Sequence, residues 1–262
     1  MPLTAQFVRN LQRFRLVTFD VTDTLLRLKD PIKQYAQTAA ACGITGITKE
    51  QLEPCFRQHF KLMSKTHANF GSCSPNMNWQ TWWQQLVIDT FTCVDANLPK
   101  ATLQTVAEQL LEVFRTSACW TRIDGATSFV ERVRDTGKCV GIISNFDPSL
   151  CQVLNAMGFS DKFDFIINSY DAGVMKPNSG IFQLALEKGR NIAPAEALHI
   201  GNKLDMDYMG ARNSGWSSLL VQEENKEQPL QRSNQQLQPE ARHSFASLAQ
   251  MLQALETQEI SW

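Results

Sequence analysis

Four short segments carry the residues whose types and order could do chemistry. Asp20 closes the apolar run Leu16-Val17-Thr18-Phe19 and opens the turn through Thr22, Asp23 and Thr24. A carboxylate fixed at the end of a buried strand can act as a covalent nucleophile and accept a phosphoryl group. The carboxyl ends of strands are also where open α/β sheets place their ligands. Ser144 ends a second apolar run, Val140-Gly141-Ile142-Ile143, and is followed by Asn145, Asp147 and Pro148. Asp then Pro opens a helix, so the Ser144 hydroxyl and the amide behind it can face an anion. Lys176-Pro177 precedes a helix beginning near Ser179, and a lysine so held suits a phosphate clamp. The segment His199-Ile200-Gly201-Asn202-Lys203-Leu204-Asp205-Met206-Asp207 is a strand-end turn with two acids. Each segment alone has a plainer reading: caps for Asp20 and Ser144, a solvated cation for Lys176, helix-start acids for Asp205 and Asp207. Their order, each at the end of a separate strand, points instead to one anion-handling site.

The elements that must position these residues follow from periodicity. Strand signals recur at 16–19, 139–144, 163–168, 197–201 and 217–221. Helix signals lie between them at about 125–136, 148–157, 179–189 and 205–214, with Gly137, Gly158, Gly189 and Gly215 at their ends. Such alternation makes an α/β fold with a doubly wound parallel sheet. Residues 28–118 interrupt it with helical patterns at 31–41, 49–64, 79–91 and 101–115, and read as an α-helical cap inserted after the first strand. The expected division is therefore a core of 1–27 and 119–262 and a helical cap of 28–118. Trp79, Trp82 and Trp83 at i, i+3, i+4 spacing are expected in the cap's own core, with an aromatic wall over a substrate as the alternative. The loop from Asn69 to Pro75 is the candidate substrate-contacting segment, or else a linker. Residues 222–243 read as an exposed connection. Leu248, Met251, Leu252 and Leu255 belong to a final amphipathic helix expected to pack back on the core.

With these motifs in order over residues 14–222, the chain resembles the haloacid dehalogenase-like hydrolase superfamily. The segments Trp79–Trp83, Ser144–Leu150 (SNFDPSL) and Phe163–Tyr170 (FDFIINSY) resemble more closely the animal group of haloacid dehalogenase-like hydrolase domain-containing proteins that includes the rhythmically expressed fly protein. The resemblance implies a Rossmann-like core, a helical cap and, in active members, Mg²⁺-dependent phosphotransfer through an aspartyl phosphate. It assigns Asp20 as nucleophile, and Ser144, Asn145 and Lys176 as holders of the phosphoryl oxygens. Asp20, Asp207, Asn202 and the Thr22 backbone carbonyl would hold the metal.

Two positions depart from the family's pattern. Active phosphatases carry a second Asp two residues after the nucleophile, which protonates the leaving oxygen and later activates water; here Thr22 stands there. A threonine hydroxyl does neither at neutral pH, and general acid–base help is worth about 10²–10⁴ in rate. Asp23 is adjacent, but a one-residue shift aims its side chain elsewhere. Asn202 stands where the family places a metal-binding Asp; it keeps an oxygen and loses a charge, which weakens Mg²⁺ binding without abolishing it. Transport ATPases of the superfamily also place Thr two residues after the phosphorylated Asp, and their aspartyl phosphate is long-lived. Dehalogenation would need a cap arginine, and neither Arg27 nor Arg57 is persuasively spaced. The expectation is a weak or specialised Mg²⁺-dependent phosphohydrolase acting on a small phosphorylated molecule or an acyl phosphate. The alternative is a catalytically silent member that binds a phosphorylated metabolite or a protein partner.

Composition bounds this reading. A chain of 262 residues accommodates one α/β core with a smaller insertion. A net charge of −1 leaves no electrostatic footprint for nucleic acid or an anionic membrane, and the apolar runs are strand-sized rather than membrane-spanning. Seven cysteines without a C-x-x-C pair indicate neither a zinc site nor a disulfide framework, so reduced thiols in a cytoplasmic or nuclear protein are expected. The three arginines before residue 16 are read as a folded lead-in rather than a mitochondrial presequence, because they run straight into the first strand. Oligomeric state is left open.

Overall fold

The computed structural model describes residues 3–222 and 238–262; most of the connection expected at 222–243 lies outside them. Helix α1 (Ala5–Leu11) leads into strand β1 (Leu16–Phe19), and a short strand β2 (Leu26–Leu28) follows. Four helices come next: α2 (Pro31–Ala41), α3 (Lys49–Thr66), α4 (Trp79–Val94) and α5 (Lys100–Val113). Strand β3 (Trp120–Arg122) returns to pair antiparallel with β2. The alternation then runs α6 (Ala126–Asp135), β4 (Cys139–Ser144), α7 (Leu150–Ala156), β5 (Phe165–Asn168), α8 (Ser169–Ala172), α9 (Ser179–Lys188) and β6 (Ala197–Gly201). A π-helical turn, Leu204–Met209, passes into α10 (Gly210–Asn213), and β7 (Ser217–Val221), β8 (Ser244–Phe245) and α11 (Leu248–Thr257) complete the described chain.

The main sheet is parallel, with spatial order β5-β4-β1-β6-β7-β8. β1, β6 and β7 are buried along their whole length, the pattern of strands covered on both faces. Alternate side chains divide between two apolar clusters. Val17, Phe19, Val140, Ile142, Leu198 and Ile200 meet α1, α6, α7 and α11 on one face. Leu16, Ile143, Ile167 and Ala197 meet Ile181, Phe182 and Ala185 of α9 on the other. This is the doubly wound, Rossmann-like arrangement that the alternation implies. Leu248, Met251 and Leu255 of α11 pack into the first cluster, as expected of the final helix.

Helices α2–α5 bury a separate cluster, with Tyr35, Leu52, Val87, Phe91, Leu103, Val106 and Leu110 among its residues. A smaller one gathers Met63, Trp82 and Leu86, with Phe70 and Trp83 against it. Trp82 is thus core, and Trp79 lies under the Arg115 guanidinium at 5.1 Å. The expectation of wholly reduced thiols is corrected here. Cys55 and Cys93 form a disulfide across a Cα–Cα distance of 5.9 Å. The two cysteines are 38 residues apart in sequence. They meet because α3 and α4 lie side by side, which a search for close spacing does not anticipate. Among the described residues no helix is long and apolar enough to cross a membrane.

Candidate active site

The carboxyl ends of β1, β4 and β6 lie side by side, where the sheet order turns: β4 and β5 lie on one side of β1, and β6 and β7, reached from β5, on the other. Asp20 follows β1 directly, Ser144 ends β4, and Asn202 follows β6. Lys176 lies just before α9, and Asp207 sits in the π-helical turn.

Lys176 is the hub. Its ammonium group, 2% exposed, donates to Asp20 Oδ1 at 2.7 Å, to Asp207 Oδ1 at 2.6 Å and to the Ile143 carbonyl at 2.8 Å. All three of its hydrogens are therefore used. Burial alone would lower its pKa, but Asp20 and Asp207 outweigh burial and raise it. Asn145 fixes the lysine's backbone from both sides. Its Nδ2 donates to the Lys176 carbonyl at 2.9 Å, and its Oδ1 accepts from the Lys176 amide at 2.7 Å.

The two carboxylates that share the lysine differ. Asp20 Oδ1 also accepts from Ser144 Oγ at 3.1 Å, while among the described residues Oδ2 accepts only from the Thr24 hydroxyl, at 3.5 Å. Burial pushes the Asp20 carboxyl above its ordinary pKa; Lys176 opposes this, and the neighbouring Asp207 adds to it. Asp207 accepts four hydrogen bonds. Oδ1 takes Lys176 and, at 3.2 Å, His199 Nε2; Oδ2 takes the amides of Asn202 at 3.0 Å and Lys203 at 2.8 Å. Burial would raise this carboxyl too, but Lys176 and His199 outweigh it and hold Asp207 well below the usual carboxylate range. Asp207 can fold back this far because residue 201 is glycine. A Cβ there would lie 2.3 Å from the Asp207 carboxyl carbon.

Asn202 Oδ1 is buried and has no hydrogen-bond partner, an uncommon state for a buried oxygen. Thr22 is half-buried and its backbone bridges to Leu26. Asp23 adopts φ +60° and pairs with Arg27 of β2 at 3.3 Å, so its carboxylate is turned to that strand. Asp205 and Lys203 are exposed. Three further side chains belong to the network: Thr24 beside Asp20, and Thr18 with His199 behind Asp207. The helix-spacing and strand-end signals do not single these out. His199 reads in sequence as a core-edge residue, and only its register opposite Thr18 discloses the contact.

Helix α4 and the segment between α3 and α4 touch this end of the sheet. Trp83 Nε1 donates to Asp147 Oδ2 at 2.8 Å. Asn69 Nδ2 donates to the Ser169 carbonyl at 2.8 Å, and Ser169 Oγ donates back to Asn69 Oδ1 at 2.6 Å. Asn69 and Phe70 both have left-handed backbones, and Phe70 packs its ring on Trp82 and Trp83. A left-handed phenylalanine is strained and persists only where its surroundings over-determine it.

Sheet order, strand-end carboxylate, hydroxyl and lysine together define a class, and the chain belongs to it: the haloacid dehalogenase-like hydrolase family, matched over residues 14–215. Among its relatives is the rhythmically expressed gene 2 protein of Drosophila melanogaster, 38% identical over 224 residues, covering 82% of this chain and 86% of that protein. The human haloacid dehalogenase-like hydrolase domain-containing protein 3 is 35% identical over 248 residues, covering 94% and 96%. Among solved structures, the magnesium-bound HAD-hydrolase YfnB of Bacillus subtilis superposes with a TM-score of 0.67 at 18% identity, covering 93% of this chain and 99% of that one. The L-2-haloacid dehalogenase of Xanthobacter autotrophicus superposes with a TM-score of 0.65, also at 18% identity and with the same coverage. At these identities the structural likeness establishes the fold.

Proposed function

We propose that the chain is a phosphohydrolase of narrow capacity, which takes a phosphoryl group onto Asp20 and releases it slowly. The observation that carries this reading is the convergence of Ser144 Oγ and Lys176 Nζ on one oxygen of Asp20. In this reading both donors exchange Asp20 Oδ1 for phosphoryl oxygens when the substrate binds beside the nucleophile. In the first step a carboxylate oxygen of Asp20 bonds to phosphorus while the bond to the leaving oxygen breaks. Thr22 gives that oxygen no proton, so it departs as an anion and only good leaving groups go readily. In the second step water attacks phosphorus and the bond to Asp20 breaks. Thr22 takes no proton from that water, so this step is slow.

In this reading a divalent cation is held by oxygens. Asp20, the Thr22 carbonyl and the unpartnered Asn202 Oδ1 are oxygen ligands of the kind Mg²⁺ uses, and what a bound Mg²⁺ supplies is positive charge against the phosphoryl oxygens. Asp207, with four donors already on its two oxygens, supports the site from behind rather than joining the ligands. Helices α2–α5, with the segment between α3 and α4, act as a cap that meets the core through Trp83 and Asn69.

The neutral side chains at 22 and 202 favour a second reading, a silent member that retains only the anion site. Steady-state kinetics on aryl and alkyl phosphates, for the natural protein and Thr22→Asp, separate the two. Thr22→Asp is expected to raise alkyl-phosphate turnover by up to about 10²–10⁴. Rapid alkyl-phosphate turnover by the natural protein would refute the role given to Thr22. No turnover of either class by either form would favour the silent reading.

A further inference from the structure

We propose that Thr18 and His199 are positioning residues for the phosphoryl site: a buried strut between β1 and β6 that sets the Asp207 carboxylate and, through it, the Lys176 ammonium and the 202–203 turn. The proposal rests on the reading of Lys176 as the phosphoryl-binding cation.

The strut follows from strand register. Thr18 and His199 are direct partners across the β1–β6 ladder, and both are fully buried. They lie on the sheet face covered by α9, where the Phe182 ring meets the imidazole edge-on at 5.6 Å. Along the same face of β6, two residues on from His199, comes Gly201. The space a side chain would occupy there holds Asp207 instead. Thus β6 presents an imidazole, then a gap, and the Asp207 carboxylate drops into the gap and meets the imidazole.

The chemistry of the contacts fixes their direction. A carboxylate that holds a lysine only accepts hydrogen bonds, so His199 Nε2 carries the hydrogen and donates to Asp207 Oδ1 at 3.2 Å. The other ring nitrogen, Nδ1, lies 2.8 Å from Thr18 Oγ1. In an apolar sheet interior the neutral imidazole is favoured, so Nδ1 accepts from the Thr18 hydroxyl. A hydrogen bond to one ring nitrogen sets what the other can do. A satisfied core histidine would end at such partners. This one bonds the oxygen that also receives Lys176 Nζ at 2.6 Å. Without His199, Asp207 Oδ1 keeps one donor instead of two and is free to shift toward the lysine. The lysine's split between Asp207 and Asp20 and the seat of the 202–203 amides then change with it.

The test uses the full-length protein and the variants His199→Phe, His199→Gln and Thr18→Val. The first readout is the amide proton shifts of Asn202 and Lys203, which report the hydrogen bonds to Asp207 directly and need no activity. The second is the affinity for inorganic phosphate by calorimetry. Thermal denaturation of each variant verifies folding. We expect His199→Phe to move both amide resonances and to weaken phosphate about tenfold. His199→Gln, whose amide can donate to Asp207, should recover most of both. Thr18→Val should act in the same direction with smaller size, and adding it to His199→Phe should have no further effect. Unmoved amide resonances in folded His199→Phe would overturn the proposal. So would phosphate affinities equal to wild type, or a Gln variant no better than Phe. If the natural protein binds no phosphate, the reading of the site as phosphoryl-binding fails, while the amide shifts still decide whether the strut exists.

Discussion

Two carboxylates share one buried lysine, and removing the charge of each should have unequal consequences. In Asp207→Asn the new side chain keeps one accepting oxygen but presents an NH₂ group where the carboxylate accepted. Four donors converge there: Lys176 Nζ, His199 Nε2 and the amides of 202 and 203. At least two lose an acceptor, and each unsatisfied buried donor costs about 1–3 kcal/mol. Lys176 also loses one of its two counter-charges, and breaking a buried pair costs about 3–5 kcal/mol in total. In a chain of this size 1 kcal/mol corresponds to roughly 2–4 °C in Tm, so Asp207→Asn should melt at least 6 °C lower. Asp20→Asn is different. Its Oδ1 can still accept from Lys176 and Ser144, and the NH₂ group replaces Oδ2, which among the described residues has one hydrogen bond, from Thr24 at 3.5 Å. Asp20→Asn also takes a counter-charge from Lys176, but it leaves no donor without an acceptor, so its loss should be clearly smaller than that of Asp207→Asn. Urea unfolding followed by circular dichroism measures both. Equal losses in the two variants, or a neutral Asp207→Asn, would refute the division of roles between nucleophile and anchor.

Two further outcomes are expected. Asn202→Asp should tighten Mg²⁺ about tenfold by calorimetry, worth about 1.4 kcal/mol, by adding a carboxylate at a proposed ligand position; equal affinities would show that residue 202 is not a ligand. Stability should also fall as the solution is acidified below about pH 6.5, the ordinary histidine pKa. His243 lies buried between the Tyr208 hydroxyl and the Ser261 carbonyl, and burial pushes its pKa down. The unfolded chain therefore binds the proton first, so the contribution is intact above that pH and lost below it. Thermal scans between pH 7.5 and pH 5.5, approximate bounds chosen around that value, should show a smaller slope for His243→Asn, and an unchanged slope would contradict the assignment.

Much of the fold was legible because parallel strands covered on both faces read as unbroken apolar runs. The runs at 16–19, 139–144, 197–201 and 217–221 coincide with β1, β4, β6 and β7. Elements set by tertiary contact were not legible. The three-residue strands β2 and β3 are too short to show a period, and β8 has two residues. The pattern at 205–214 divides into a π-helical turn and α10, and in that turn Asp207 folds back onto Gly201. At the site, sequence order marked Asp20, Ser144, Lys176 and Asp207 as strand-end residues. It carried no sign that Asp207 is saturated with donors, that Asn145 grips the Lys176 backbone, or that His199 stands behind Asp207. Those are facts of register and fold-back, which a linear pattern does not encode. The Cys55–Cys93 pairing was hidden for the same reason.

The central claim is that Asp20 itself receives a phosphoryl group and keeps it for want of an acid–base partner at position 22. Its most direct test mixes the protein with Mg²⁺ and an acyl or aryl phosphate, quenches with acid, and looks by mass spectrometry for one added phosphoryl group on the peptide containing Asp20. The expected result is a labelled Asp20 that persists in the natural protein, decays faster in Thr22→Asp and is missing in Asp20→Asn. Substrate turnover with no phosphoryl group on Asp20, or with the label on another residue, would contradict the claim.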